Sequence, residues 1–207
     1  MAETKERILR AALDLFSEYG YEAVSVGQLA AAVGIKAPSL YKHYSSKQEI
    51  FEALIAWLSE QYESRSVLAV SRQRDIYSDY AAIAGMSPEE YADILCKQLE
   101  FITGDPVVSK TRKLLVIEQF RNPELCAILE KRHYQDIYEY HKGVVRYLIH
   151  AGVLIDADAD IMALQLMSPV TVELQRADRN PGYTAEAEDL IRKHIIQFFR
   201  VYGKHNK

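Results

Sequence analysis

The side chains best suited to catalysis or metal binding are scattered along the chain and form no known motif. Cys96 and Cys126 lie too far apart for a CxxC redox or zinc pair. His133 and His141 are eight residues apart, so about 12 Å of helix rise would separate them and they could share a metal ion only on a bent helix. HExxH, GxSxG, P-loop and GxGxxG motifs are all missing. The sequence therefore predicts no metal site, no cofactor and no enzymatic activity.

A second group of reactive side chains is basic and lies near the N-terminus. Lys36, Lys42 and Lys47 fall within twelve residues that contain no acid. Residues 1–47 carry six basic and five acidic side chains, whereas the whole chain has a net charge of -4. A local basic face is sufficient for contact with phosphate, whatever the overall charge. The alternative is an ordinary solvated surface, which a patch of three lysines often is.

Two short helices are predicted to carry this basic segment. Ser25 and Gln28 form a capping box for one helix, which ends at Gly34. Pro38 is acceptable only in a first turn and so predicts another helix over residues 37–44. Two short helices joined by a glycine turn are typical of a helix-turn-helix. With Leu40 facing inward, the outward residues of the second helix are Ala37, Ser39, Tyr41, Lys42 and His43.

Residues 25–47 resemble the DNA-binding signature of the TetR family of bacterial repressors. The matching residues are Ser25-Val26-x-x-Leu29-Ala30, Val33-Gly34-Ile35, Ser39-Leu40-Tyr41-x-His43-Tyr44 and Lys47-x-x-Ile50. The preceding Ala11-Ala12-Leu13-x-Leu15-Phe16 and Tyr19-Gly20-Tyr21 are similar to the first helix of the family. The resemblance covers roughly the first fifty-five residues and implies that the chain binds double-stranded DNA.

The resemblance also implies roles for single side chains. Lys36 departs from the family pattern, which has a small polar capping residue there, and is predicted to add a phosphate or base contact. Lys42 and Ala37 stand at variable positions, so they are predicted to help select the operator sequence. Contacts with phosphates or base edges are implied for the matching polar residues Ser25, Ser39, Tyr41, His43 and Lys47.

The remaining chain is predicted to be helical to its end. Capping residues and prolines mark helix starts near residues 47, 88, 106, 123, either 156 or 158, and 184, and the helix from 123 is expected to run to about 151. The fold class is therefore all-α, with a three-helix DNA-binding domain over residues 1–47. Residues 48–207 are predicted to form a larger helical domain for effector binding and dimerisation.

The last two helices have wide apolar surfaces, which suit either a single-chain core or a subunit interface. The resemblance favours the interface, because such regulators usually dimerise through their last two long helices. A two-fold dimer would also present two reading heads to a palindromic operator. The predicted interface residues are Ile161, Leu164, Val172, Ile191, Ile195, Phe198 and Phe199.

A small-molecule effector is predicted to bind among the middle helices. Tyr134, Tyr138 and His141 recur at helical spacing and would share one face. Pro169 is expected to kink a neighbouring helix and to free a carbonyl beside that face. The expected effector is aromatic or extended and apolar, with at least one hydrogen-bond donor. The alternative is that these tyrosines are ordinary core residues.

Together these patterns predict a cytoplasmic, homodimeric repressor that releases DNA when an effector shifts its conformational equilibrium. The sign of that response, the operator and the effector stay open. No apolar run approaches the length of a membrane span, and no signal peptide is expected. The alternative function is an all-α small-molecule carrier or enzyme with an incidental helix-turn-helix.

Overall fold

A computed structural model describes residues 2–65 and 76–204, and it is helical throughout those ranges. No β-strand occurs in them, and Leu154 and Gly203 form an isolated bridge. The predicted all-α fold class is confirmed. The helices are α1 (Ala2–Tyr19), α2 (Val26–Val33), α3 (Ala37–Leu40), α4 (Lys47–Arg65), α5 (Ile76–Ala84), α6 (Pro88–Gly104), α7 (Pro106–Glu118), α8 (Pro123–Glu130), α9 (Asp136–His150), α10 (Ala159–Arg179) and α11 (Thr184–Tyr202).

The first of two compact units comprises residues 1–66 and 106–129, so it includes α7 and α8 as well as α1–α4. Its core contains the fully buried Phe16, Leu29 and Leu40. This unit is larger than the predicted DNA-binding domain of residues 1–47, because α7 packs directly on α1. The functional boundary at residue 47 stays a prediction.

Polar contacts also join α7 to the N-terminal helices. Lys110 pairs with Asp14 of α1 at 2.5 Å. The carboxylate of Glu118 is buried and accepts a 2.8 Å hydrogen bond from the backbone N–H of Tyr21. The segment that leads from α1 into α2 is thus anchored to α7.

The second unit comprises residues 67–105 and 130–207. Its core is formed by α5, α6, α9, α10 and α11 around Leu148, Met162 and Ile195. Gly143 of α9 allows Tyr80 of α5 to approach closely, because a Cβ at Gly143 would lie 2.1 Å from the tyrosine hydroxyl oxygen. The absence of a side chain at Gly143 thus has a structural reason in this one neighbour.

Two helix boundaries differ from the sequence prediction. The third helix ends at Leu40 instead of residue 44, because the chain continues as a turn over residues 41–43. The predicted helix over 123–151 is divided into α8 and α9 by a five-residue π-helix, Lys131–Gln135. The predicted end of the fourth helix, near Val70, lies outside the described residues.

Within the described ranges, no helix combines the length and the apolar character needed to cross a bilayer. The same ranges contain no cluster of three or more His, Cys, Asp or Glu side chains arranged to hold a metal ion.

Candidate nucleic-acid interface and effector cavity

The predicted helix-turn-helix is formed by α2, a glycine turn and α3. The Ser25 hydroxyl accepts a 3.2 Å bond from the N–H of Gln28, whose side-chain oxygen accepts a 2.8 Å bond from the N–H of Ser25. This is the predicted capping box. Gly34 ends α2 with φ of +76°, a left-handed conformation that costs glycine little. The conformation of the turn between the two helices is therefore determined by residues close to it in the sequence.

The short helix α3 is held by one buried residue and leaves its neighbours at the surface. Leu40 is fully buried in the core of the first unit. Lys36 occupies the N-cap position and makes no side-chain capping bond, which agrees with its departure from the family pattern. Because α3 has a single inward residue, most of its surface faces solvent.

The predicted DNA-contacting side chains of this region lie together at the surface. Five of the eight lie within Lys36–Lys42, and all but one of those five carry a polar or charged group. The exposed residues are Ser25, Lys36, Tyr41 and Lys42, and the partly exposed ones are Ala37, Ser39, His43 and Lys47. The structure thus assembles a polar, basic surface without locating a DNA contact.

Lys47 is placed differently from the other lysines. Its ammonium group donates to the carbonyl oxygens of Tyr21 and Val24 at 2.9 and 3.0 Å, and it lies 4.1 Å from the ring centre of Tyr21. Its predicted contact with a phosphate stays a prediction. In the described structure its ammonium group links α4 to the segment that enters α2.

The start of α4 is capped by serines. The hydroxyl of Ser46 accepts a 3.0 Å bond from the N–H of Glu49. The carboxylate of Glu49 accepts bonds from the hydroxyl and the N–H of Ser45, and these bonds hold the pKa of Glu49 below its usual value. Ser46 therefore caps α4, and Glu49 reaches back to Ser45.

The predicted effector stripe does not line one cavity. Tyr134 accepts a 3.2 Å bond from Gln175, and Tyr138 donates a 3.4 Å bond to the carbonyl of Asp160. Of the three stripe residues, His141 alone lines the cavity of the second unit. The physical reason is the π-helix that ends at Gln135, because its wider turn rotates Tyr134 away from the face that regular helical spacing would give it.

The expectation that Pro169 frees a carbonyl beside the effector site is also corrected. Pro169 lies inside α10, whose helical assignment continues to Arg179. The carbonyl that lacks its usual helical partner belongs to Gln165, because proline has no N–H. Gln165 is not among the cavity-lining residues, whereas Met167 and Val170 are.

A cavity of 360 Å³ lies among α5, α6, α9 and α10 of the second unit. This volume is at the lower end of the range for small-molecule sites, about 300–1,000 Å³. Its walls are mostly aliphatic and aromatic, with a few polar groups. The lining residues are Asp79, Ala82, Ile83, Met86, Tyr91, Ile94, Leu95, Gln98, Leu99, Ile102, Ile137, Tyr140, His141, Met167, Val170, Thr171 and Leu174.

His141 is a neutral hydrogen-bond acceptor in this wall. Its Nδ1 lies 2.8 Å from the carbonyl oxygen of Ile137, and since a carbonyl can only accept, Nδ1 carries the proton. Burial lowers the pKa of His141 to about 4. The ring is therefore neutral at pH 7, and its Nε2 presents a lone pair.

The sequence analysis did not predict Asp79, Tyr91, Gln98 or Tyr140 as cavity residues. A signal for α6 was present, because Tyr91, Leu95, Gln98 and Ile102 recur at spacings of four, three and four. A glutamine on such an apolar face is characteristic of a cavity wall. No comparable pattern marks Asp79.

The seven predicted interface residues divide into two sets. Ile161, Leu164 and Val172 on α10 are 51%, 52% and 51% exposed and share one face. The others belong to the core of their own unit: Ile191, Ile195 and Phe198 are buried, and Phe199 packs against the same core. This corrects the prediction for α11, because helical periodicity cannot tell a face turned to the core from one turned to a partner.

Fold and site together define an all-α protein in which a helix-turn-helix is combined with a second, cavity-containing helical unit. Residues 8–54 match the family model "Bacterial regulatory proteins, tetR family". The chain is 27% identical over 128 residues to the HTH-type transcriptional regulator AcrR of Shigella flexneri, a match that covers 57% of this chain and 60% of that relative. The chain thus spans about three-fifths of the length of that relative.

Two further comparisons cover more of the chain. An uncharacterized HTH-type transcriptional regulator of Bacillus subtilis, YezE, is 28% identical over 160 residues, which is 76% of each protein. The crystal structure of a TetR-family regulator from Mesorhizobium loti superposes with a TM-score of 0.64 at 20% identity and covers 98% of both chains. Residues 8–54 therefore match the TetR family, and the chain as a whole shares the fold of a solved TetR-family regulator.

Proposed function

We propose that this protein is a DNA-binding transcriptional regulator, a homodimeric repressor that releases its operator when a small molecule binds. One observation carries the proposal: Leu40 is the one fully buried residue of α3, and Lys36, Tyr41 and Lys42 stay exposed beside the capped end of α2. A short polar helix anchored in this way suits insertion into a major groove. Because its proposed partner is DNA, the protein would act in the cytoplasm.

The proposed DNA contacts fall into three groups. Ser25 and Lys36 would meet phosphates, which position the protein without reading sequence. Tyr41 and His43 would meet the backbone or base edges. Ala37, Ser39 and Lys42 would face the bases and contribute to operator choice.

A two-fold dimer would bring two reading heads to one operator. The exposed Ile161, Leu164 and Val172 supply an apolar strip on α10, and Leu190 and Val201 on α11 are also exposed. Burying such a strip against a second copy would remove these side chains from water. Two heads spaced by about 34 Å would fit successive major grooves of a palindromic site.

The cavity of the second unit is the proposed effector site. A ligand that binds one conformation more tightly than another shifts the population toward it, and release of DNA follows if that conformation separates the heads differently. Tyr134 and Tyr138 do not line this cavity, so His141 is the one residue of the predicted stripe that is proposed as a ligand contact.

An all-α carrier or enzyme would use the same cavity without any DNA partner. The two functions separate in one experiment, in which bound sequences are selected from a random duplex pool. A repressor enriches a palindrome and loses affinity linearly with the logarithm of salt concentration. A double variant, Lys36→Gln with Lys42→Gln, tests the proposed contacts. It should weaken DNA binding and reduce the salt slope by about two per half-site. Absence of any enriched duplex, with the fold intact, would favour the carrier.

A further inference from the structure

The cavity wall contains several hydrogen-bonding groups that have no partner among the described residues. Tyr91 is 3% exposed and its hydroxyl makes no hydrogen bond there. The Asp79 carboxylate and the Tyr140 hydroxyl likewise have no hydrogen bond or ion pair with residues in the described ranges. Leaving the buried hydroxyl of Tyr91 unpaired is costly, whereas Asp79 and Tyr140 are partly exposed. The site is therefore built to receive a polar group from a ligand.

Two of the polar side chains in this wall, Tyr140 and His141, lie side by side. The ring centre of Tyr140 lies 5.0 Å from that of His141 and 5.8 Å from that of Tyr80. Burial, with a smaller contribution from the nearby charge of Asp79, raises the pKa of Tyr140 to about 12. Burial, assisted by Tyr140, also raises the pKa of Tyr91. The polar end of the cavity thus combines a carboxylate, two phenol groups and a neutral imidazole.

The polar groups at this end of the cavity favour a positively charged ligand. Asp79 is the one charged side chain among the described residues that line the cavity, and its charge is negative. The two hydroxyl oxygens and the Nε2 of His141 can all accept hydrogen bonds, and the faces of the tyrosine rings attract cations. A carboxylate ligand would meet repulsion and no counter-charge. A neutral ligand would leave Asp79 without an ion pair.

We infer that the cavity binds a compact apolar amine, with its ammonium group beside Asp79 and Tyr140 and its apolar body against the aliphatic walls. A primary ammonium has three N–H donors for the acceptors gathered there. If each non-hydrogen atom takes the ~30 Å³ of a liquid water, the cavity holds roughly a dozen such atoms. The inference deepens the proposed function, because it rests on this cavity being the effector site.

Three probes with the same apolar body test the charge: 4-phenylbutylamine, 4-phenylbutan-1-ol and 4-phenylbutyrate. Calorimetric titration of the full chain, without DNA, should show the amine binding roughly tenfold more tightly than the alcohol, the usual effect of one charge-assisted hydrogen bond. The acid should show no binding. An alcohol that binds as tightly as the amine, or no binding by any of the three, would overturn the inference.

Variants locate the ammonium group. Asp79→Asn keeps the size of the side chain and should lower affinity for the amine roughly tenfold while leaving the alcohol unchanged. Glu89→Gln removes an exposed acid of α6 that does not line the cavity, and it should change neither affinity. Equal loss in both variants would indicate a general charge effect and contradict the assigned position.

Failure of this inference and failure of the proposed function give different results. A chain that selects a palindromic duplex but prefers the alcohol or the acid remains a regulator with another effector class. A chain that binds the amine through Asp79 but selects no duplex is an amine-binding protein without the regulatory role. Release of a selected duplex by the amine, blunted in Asp79→Asn, would support both.

Discussion

Single residues in this protein perform tasks that their type alone does not reveal. Lys36, Lys42 and Lys47 stand within twelve residues, yet Lys47 alone is held by backbone carbonyls. Hydrogen bonds to a charged donor are stronger than neutral ones. Lys47 therefore stabilises the reading head, whereas Lys42 is free to meet DNA in the described structure.

Replacing each of these lysines by methionine separates the two roles. Lys47→Met should lower the free energy of unfolding by about 1–2 kcal/mol, because two carbonyls lose a charged donor, and should change the salt slope little. Lys42→Met should leave stability unchanged and reduce the slope by about one per half-site. The measurements are denaturant unfolding and DNA titration over a salt series. A full loss of slope in Lys47→Met, with wild-type stability, would support the predicted phosphate contact.

His141 makes folding sensitive to pH. Its pKa is about 4 in the folded chain and 6.5 in its ordinary state, so the unfolded chain takes up the proton first as pH falls. Stability that is complete above pH 6.5 is thus lost progressively down to about pH 4. Between pH 7 and pH 5 this amounts to about 2 kcal/mol.

The expected measurement compares wild type with His141→Gln in urea at both pH values and at one protomer concentration. The wild type should lose about 2 kcal/mol more than the variant between pH 7 and pH 5. Other titrating groups affect both proteins alike, so the difference isolates His141. An identical loss in the two proteins would mean that the ring titrates normally.

At the scale of elements, the contact of α5 with α9 depends on one glycine. A Cβ at Gly143 would lie 2.6 Å from Cζ of Tyr80 as well as close to its hydroxyl. Tyr80 in turn packs on Tyr140, a wall of the cavity. The position of α5, and with it the position of Asp79, is therefore set by this contact.

Gly143→Ala should destabilise the protein by about 1–3 kcal/mol, because the ring of Tyr80 must move. In a Tyr80→Ala background the same change should be neutral or stabilising, by up to about 1 kcal/mol, since alanine favours helix over glycine. The double-mutant cycle in urea measures this coupling. If Gly143→Ala changes the free energy of unfolding equally in both backgrounds, position 143 and Tyr80 are not sterically coupled.

At the scale of the whole molecule, the apolar strip of α10 is the proposed contact with a second copy. Ile161→Glu with Leu164→Glu should give a folded monomer, because both side chains are half exposed and carry no core packing. Ile195→Glu should unfold the chain, since Ile195 is fully buried. Sedimentation and circular dichroism distinguish these outcomes.

The control for the dimer experiment is Phe120→Glu. Phe120 is 91% exposed and belongs to the first unit, whereas the strip of α10 belongs to the second. The substitution Phe120→Glu should leave the oligomeric state unchanged. A dimer that survives the double change at Ile161 and Leu164 would place the contact on another surface.

The sequence by itself determined the local features of the reading head. The capping box at Ser25, the left-handed Gly34 and the inward Leu40 depend on neighbours only a few residues away. Such short-range signals can be read from residue type and spacing. The all-α class followed in the same way, from helical periodicity along the chain.

Only the tertiary structure decided the tasks that depend on distant partners. Lys47 meets the carbonyl oxygen of Tyr21, Asp79 joins a wall with Tyr140, and Ile195 turns to its own core and not to a second chain. The π-helix before α9 also changes which residues share a face. Periodicity identifies an apolar or polar face, but the element that packs against it is set by long-range packing, which local spacing does not encode.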